Sequence, residues 1–83
     1  MAFADTLRTM AQRWRDENPE YQGGVVLIWQ ESVYGWKNCL RDAKHEQPGV
    51  FAVDLDGNIY KTEGGNSYDG AKLWIVYQDF IKC

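Results

Sequence analysis

The chain has 83 residues, of which 45% are hydrophobic and 25% are charged, and this composition predicts one globular domain over residues 1–83 and excludes a disordered chain. The formal net charge of −3 argues against broad electrostatic binding to nucleic acid, because such binding needs a basic surface. Four Trp, five Tyr and three Phe are the large side chains on which the core of so short a chain must depend.

An N-terminal amphipathic helix is predicted over residues 5–17. Its apolar side chains recur at steps of three and four residues, which places them on one stripe of a helix: Phe3, Leu7, Met10, Ala11 and Trp14. Asp5 is a suitable N-cap, and Pro19 predicts the helix end because the residue before a proline is driven out of the helical conformation. A second side of the helix is expected to be solvated surface: Arg8, Gln12 and Arg15.

Two strands are predicted next. Residues 25–29, VVLIW, form a continuous apolar run rich in β-branched side chains, which is typical of a central strand. Residues 32–35 resemble a connector, and the side chains of residues 36–41 alternate in the manner of a half-exposed strand. Residues 41–48 are polar and end in Pro-Gly, so we expect a surface loop or a helical turn there.

A β-hairpin is predicted over residues 50–63, because two β-prone runs meet across Asp-Leu-Asp-Gly-Asn. In the preferred register a type I turn closes with Gly57 in the left-handed conformation, and Asp54 hydrogen-bonds the turn backbone. That register sets Val53 opposite Ile59 and Phe51 opposite Lys61, with Ala52 and Tyr60 on the other face. A two-residue Asp-Gly turn, which sets Val53 opposite Tyr60, is the alternative.

The last element is expected to be a C-terminal helix that follows Gly64-Gly65. Asn66 or Ser67 can cap it, and five apolar side chains fall on one helical stripe: Leu73, Trp74, Tyr77, Phe80 and Ile81. A strand is the alternative for residues 71–78, because this stretch is rich in strand-forming residues and because Ile75 and Val76 lie off the stripe.

Together these elements predict an α+β fold. It contains a small, mainly antiparallel sheet of three or four strands with the hairpin at residues 50–63, and both helices pack on one face of that sheet. The other face is expected to be partly open, which makes it a natural docking surface.

Known catalytic and metal-binding patterns do not fit the chain. Starting from Asp54, glycine arrives at the fourth position of the acidic loop, whereas an EF-hand needs it at the sixth. Residues 64–70 lack the endings of a P-loop and of a dinucleotide-binding loop. Cys39 and His45 could form a thiolate and its base, but a thiol-dependent enzyme is the weaker hypothesis because no recognisable sequence surrounds the cysteine. We therefore expect no catalytic residue, no metal and no cofactor.

Aromatic residues beside glycine-containing connectors are the candidates for a binding surface, since Trp and Tyr are favoured interface anchors. The predicted binding residues are Tyr34, Trp36, Asn38, Tyr60, Asn66 and Tyr68. The leading hypothesis is a small non-enzymatic protein-interaction or regulatory domain that binds a protein partner or associates with itself. A module for a small ligand, a sugar or a nucleotide, is the alternative. An acidic mimic of nucleic acid is disfavoured, because nine basic residues dilute twelve acidic ones.

The cellular compartment is predicted from the leader and the cysteines. No basic-then-apolar leader follows Met1, and no apolar run approaches the roughly 18 residues of a membrane span. We therefore expect a cytoplasmic protein with no membrane or nucleic-acid partner. Cys39 and Cys83 are expected to be free thiols, since disulfide frameworks belong to secreted proteins.

Overall fold

One helix and five antiparallel strands make up the fold. The computed structural model describes residues 3–40, 42–66 and 68–78. Helix α1 spans Phe3–Glu17, and the strands span Val25–Trp29 (β1), Ser32–Lys37 (β2), Phe51–Asp54 (β3), Ile59–Glu63 (β4) and Leu73–Gln78 (β5). The strands form one sheet in the order β2-β1-β3-β4-β5, so the α+β class is confirmed and the expected strand number of three or four is too low.

Helix α1 forms as its apolar stripe predicts and packs mainly on β1, β2 and β3. Leu7 and Ala11 are buried in the core between helix and sheet, and Met10 and Trp14 pack against the same residues. The helix ends at Glu17 as expected but begins at Phe3, so Asp5 lies in the first turn and is not the N-cap. A carboxylate in the first turn still faces the positive end of the helix dipole.

Arg15 is not the solvated residue that the helix pattern predicts. Its side chain is buried, and its guanidinium donates from Nη1 to the carbonyl of Gly23 at 2.6 Å and from Nη2 to that of Gly24 at 3.1 Å. Arg8, half-buried two turns earlier on the same side of the helix, donates from Nε to the carbonyl of Gly57 at 2.8 Å. Two arginines therefore tie α1 to the loop before β1 and to the β3–β4 turn.

The first hairpin begins earlier than predicted. Residues 32–35, expected as a connector, belong to β2, and the turn consists of Gln30 and Glu31 with φ of 50° and 65°, as a two-residue hairpin turn requires. Strand β2 ends at Lys37, so the strand expected over residues 38–40 is wrong. Strand β1 is an interior strand, although β3 occupies the middle of the sheet.

The β3–β4 hairpin has the preferred register. Val53 pairs with Ile59 and Phe51 with Lys61, while Ala52 pairs with Tyr60 on the other face. Gly57 closes the turn with φ of 93°. The Asp54 carboxylate accepts from the backbone N–H of Asp56 at 3.0 Å and of Asn58 at 2.8 Å. The acidic residues of this loop are thus turn residues, as their spacing indicates.

The predicted C-terminal helix is wrong over the residues that the structure describes. Residues 73–78 are strand β5, which pairs antiparallel with β4 through Glu63 opposite Leu73 and Lys61 opposite Ile75. The β-branched and aromatic composition of this stretch favours a strand, and the strand forms because β4 offers it an unpaired edge. Phe80 and Ile81 of the predicted helical stripe lie outside the described residues.

The sheet face opposite α1 is covered and not open as expected. Residues 42–49 lie against it and include a 3₁₀ helix at Ala43–His45, and the carbonyl of Glu46 accepts from the N–H of Ala71 at 2.9 Å. Beneath this segment the buried residues are Val25, Leu27, Val50 and Ala52, against which Leu40, Tyr60 and Trp74 pack. A loop therefore covers the sheet face that was expected to be partly open.

Candidate interaction surface

Trp36, the largest of the predicted binding residues, is part of the core. It pairs with Val26 on the α1 side of the sheet, and its indole Nε1 donates to the carbonyl of Gly23 at 3.0 Å. Its ring stands 5.1 Å from Tyr21, which in turn stands 5.6 Å from Trp14. These three rings pack at the end of the helix–sheet interface, so contacts within the chain explain the position of Trp36.

Tyr34 lies toward the opposite face of the sheet and contacts residues 42–49, which we call the covering segment. Its hydroxyl donates to the carboxylate of Glu46, which also forms an ion pair with Lys37. Partial burial, and then the hydrogen bond and the charge of Glu46, raise the pKa of Tyr34 above its ordinary value. Glu46 itself is buried, and a buried carboxylate is tolerated because both of its oxygens are paired.

The other predicted residues are spread over the molecule. Asn38 is exposed directly after β2, whereas Tyr60 packs under the covering segment, three strand spacings or about 14 Å from β2. Asn66 shapes the β4–β5 connection, since its Oδ1 accepts from the N–H of Tyr68 at 2.9 Å and of Asp69 at 2.7 Å. Tyr68 is 95% exposed at the tip of that connection. The assignment of these residues to one binding surface stays a prediction.

A different set of rings lies on the sheet face beside helix α1. Phe3, at the start of the helix, stands 5.3 Å from Phe51 on β3, and Phe51 stands 5.1 Å from Tyr77 on β5. The third separation, Phe3 to Tyr77, is 6.4 Å, and all three pairs meet edge to face, the arrangement that aromatic quadrupoles favour. We call these three residues the aromatic cluster.

The aromatic cluster is open to solvent. Phe3 and Tyr77 are 41% and 40% exposed, and Phe51 is half-buried between them. The ammonium of Lys61 lies 5.9 Å from the centre of the Phe51 ring, a cation–π contact that places a charge at the rim of an apolar surface. Because α1 packs mainly on the other three strands, the part of this face formed by β4 and β5 remains uncovered among the described residues.

Strand β5 extends the apolar surface to the edge of the sheet. No further strand pairs with its outer side in the part of the chain that the structure describes. Leu73 and Val76 are about half exposed, at 49% and 55%, and no charged residue occurs from Leu73 to Gln78. An edge strand of this kind is a ready template for pairing, and proteins usually protect it with charge. We call residues 73–78 the β5 edge.

A cavity lies elsewhere, between the C-terminal half of α1 and the β3–β4 turn. It has a volume of about 350 Å³ and is lined by Gln12, Arg15, Tyr21 and Leu55 among others. Burial lowers the pKa of the Arg15 guanidinium, and the charge of Asp54 partly offsets this. That guanidinium already donates to Gly23 and Gly24, and Gln12 donates to Asp16, so a ligand there would also meet Tyr21 and Gln22.

Reactive groups are sparse in the described residues. Cys39 is a free, exposed thiol and lies beyond the end of β2. Among residues 3–40, 42–66 and 68–78, no group of three His, Cys, Asp or Glu side chains is placed to hold a metal ion. Within the same ranges, no helix is long and apolar enough to cross a membrane. Cys83 lies outside them.

Sequence reasoning missed the aromatic cluster, because its members are separated along the chain by almost the whole sheet. The sequence pattern places Phe3 on a helical stripe, Phe51 in a hairpin and Tyr77 in a second helix. One signal was present: Ile75 and Val76 did not fit that helix, and a strand over the same stretch places Tyr77 beside β4. Comparison of the chain with known proteins found no matching family model, curated protein or solved structure.

Proposed function

We propose that this chain is a small non-enzymatic protein-interaction domain, which binds a protein partner through the aromatic cluster and the adjoining β5 edge. The observation that carries the proposal is that Phe3 and Tyr77 are exposed and both contact Phe51 on one face of the sheet. Exposed aromatic side chains that already touch one another lose little conformational freedom on binding. Such residues commonly contribute most of the binding free energy of an interface.

The shape and composition of the surface favour a macromolecule over a small ligand. The aromatic cluster lies on a sheet face with Lys61 at its rim, which resembles the apolar centre and polar rim of a protein interface. Small-molecule sites are concave and enclose most of the ligand, whereas the aromatic cluster lies on a sheet face and a cavity of about 350 Å³ lies at the other end of α1.

A comparison of two exposed tyrosines tests the proposal. The purified chain is used to capture proteins from a lysate of its source, and the affinity of each captured protein is then measured with Tyr77→Ala and Tyr68→Ala. Tyr68 is the matched control because it is 95% exposed and lies outside the aromatic cluster. We expect Tyr77→Ala to weaken binding at least about tenfold and Tyr68→Ala to leave it unchanged. Equal effects of the two substitutions on binding would contradict the proposal, and so would the absence of both a captured protein and self-association.

A small-ligand module is the second candidate, supported by the cavity of about 350 Å³ near Gln12 and Tyr21, which is large enough for a sugar or a nucleotide. A thermal-shift screen with both classes tests it, since a ligand at about 100 times its dissociation constant stabilises the native state by about 2.7 kcal/mol. Stabilisation that Tyr21→Ala removes would support this candidate, and its absence across the screen would reject it.

A further inference from the structure

We propose that the partner of the β5 edge is a second copy of this chain, and that two copies pair their β5 strands antiparallel, with Ile75 at the two-fold axis, to form one continuous sheet. This inference rests on the proposed function, because it names the partner of the same surface. It also specifies a two-fold symmetric pairing of β5 strands, which a different partner would not form.

The two edges of the sheet differ in how well they are protected. At the β2 edge, the pairing with β1 is irregular between Leu27 and Ile28, and the charged Lys37 is held there by Glu46. Irregular pairing and charge are the features that keep edge strands from joining. At the β5 edge, residues 73–78 carry no charge, and the irregularity in pairing comes only at the end, beyond Val76.

The side chains of the β5 edge complement themselves. In an antiparallel pair with Ile75 on the axis, Ile75 lies opposite its own copy, and Leu73 lies opposite Tyr77. On the other face, Trp74 lies opposite Val76. Each of these cross-strand pairs joins apolar groups, and two of them join an aromatic ring to an aliphatic side chain, a combination that stabilises neighbouring strands by about 0.2 to 1 kcal/mol. A second copy therefore supplies a further strand on the outer side of β5, with apolar side chains opposite those of β5.

The lysine that precedes the strand favours the same arrangement. In the sequence, Lys72 stands immediately before the uncharged stretch. Antiparallel pairing with Ile75 on the two-fold axis sets Lys72 opposite the uncharged Gln78. Parallel pairing in register would set Lys72 beside its own copy, and like charges side by side are unfavourable. The pairing also joins the aromatic clusters of both copies into one apolar face.

Sedimentation equilibrium of the full chain from about 1 μM to about 1 mM tests the pairing. We expect the wild-type chain to pass from monomer to dimer within this range. Val76→Lys places a charge on the β5 edge and should weaken dimerisation at least tenfold, whereas Leu55→Lys, an equal change at a 65% exposed residue on the β3–β4 turn, should leave it unchanged. Circular dichroism verifies that both variants fold.

A wild-type chain that stays monomeric up to the highest concentration would overturn the inference. Equal weakening by Val76→Lys and Leu55→Lys would do the same. If the monomer nevertheless captured another protein in a Tyr77-dependent manner, the proposed function would stand and only the pairing of two copies would fail.

Cysteine cross-linking tests the register. In a chain that carries Cys39→Ser and Cys83→Ser, Ile75→Cys should form disulfide-linked dimers on mild oxidation several-fold faster than Leu73→Cys, because only a residue on the two-fold axis faces its own copy. Leu73 is the more exposed residue of the two, so random collision would favour Leu73→Cys. Equal rates, or a faster reaction of Leu73→Cys, would overturn the proposed arrangement.

Discussion

Asp54 shows how a single side chain can specify a turn. Its carboxylate accepts from two backbone N–H groups of the β3–β4 turn and, at 3.1 Å, from the side-chain amide of Asn58. We expect Asp54→Ala to lower the free energy of unfolding by about 1 to 3 kcal/mol, because those donors lose their acceptor. Asp56→Ala, an exposed carboxylate in the same turn, should change it by less than about 0.5 kcal/mol. Urea unfolding of both variants measures the difference, and similar losses would argue against the turn as described.

Gly24 is restricted by its neighbours as well as by its backbone conformation. A Cβ at this position would stand 2.3 Å from the carbonyl oxygen of Lys37 and 2.8 Å from the ring of Trp36, whereas at Gly23 it would meet nothing within 4 Å. Both residues have positive φ, so both alanine substitutions cost about 1 to 2 kcal/mol of backbone strain. We expect Gly24→Ala to cost about 4 kcal/mol or more in total. Equal thermal stability of the two variants would contradict this close approach.

At the scale of elements, the covering segment of residues 42–49 is held by Glu46, and this contact has a spectroscopic signature. Because folding raises the pKa of Tyr34 above its ordinary value of 10.0, the folded chain keeps a phenol proton that the unfolded chain loses. The contribution of Tyr34 to the free energy of unfolding is therefore fully present below pH 10 and is lost as the pH rises above it.

Alkaline titration of tyrosinate absorbance should thus show a phenol that ionises above the ordinary tyrosine pKa of 10.0. Glu46→Gln removes the negative charge beside Tyr34 and should shift this phenol toward lower pH, while Glu17→Gln, at an exposed residue of α1, should not. If both variants titrate like the wild-type chain, Glu46 does not contact the hydroxyl in solution.

Elements with local signals were predictable from the sequence, and those that depend on distant neighbours were not. The Asp-Gly turn gave the β3–β4 register correctly, and the apolar stripe of α1 gave its buried face. Residues 73–78 contain part of a helical stripe as well as a run of strand-forming residues, and only the unpaired edge of β4 decides between helix and strand. Arg15 is buried because the carbonyls of Gly23 and Gly24 lie within its reach, which no periodicity reveals. The candidate site was missed for the same reason, since Phe3, Phe51 and Tyr77 meet only in the folded sheet.

At the scale of the whole molecule, the five-stranded sheet has one face shared between α1 and the aromatic cluster and another closed by the covering segment. One edge is irregular and charged, and the other is apolar and uncharged along residues 73–78. This asymmetry supports the proposal that the β5 edge is the interaction surface, and the central claim of our account is that a second copy of this chain binds at this edge and the aromatic cluster.

Nuclear magnetic resonance of the isotope-labelled chain tests this claim most directly, by following every backbone amide as the protein concentration is raised. We expect shifts and line broadening to be largest at residues 73–78 and at Phe3 and Phe51, and smallest at Tyr34 and the β2 edge, because only the former surface contacts the second copy. Changes centred on Tyr34 and β2, or spectra independent of concentration, would contradict it.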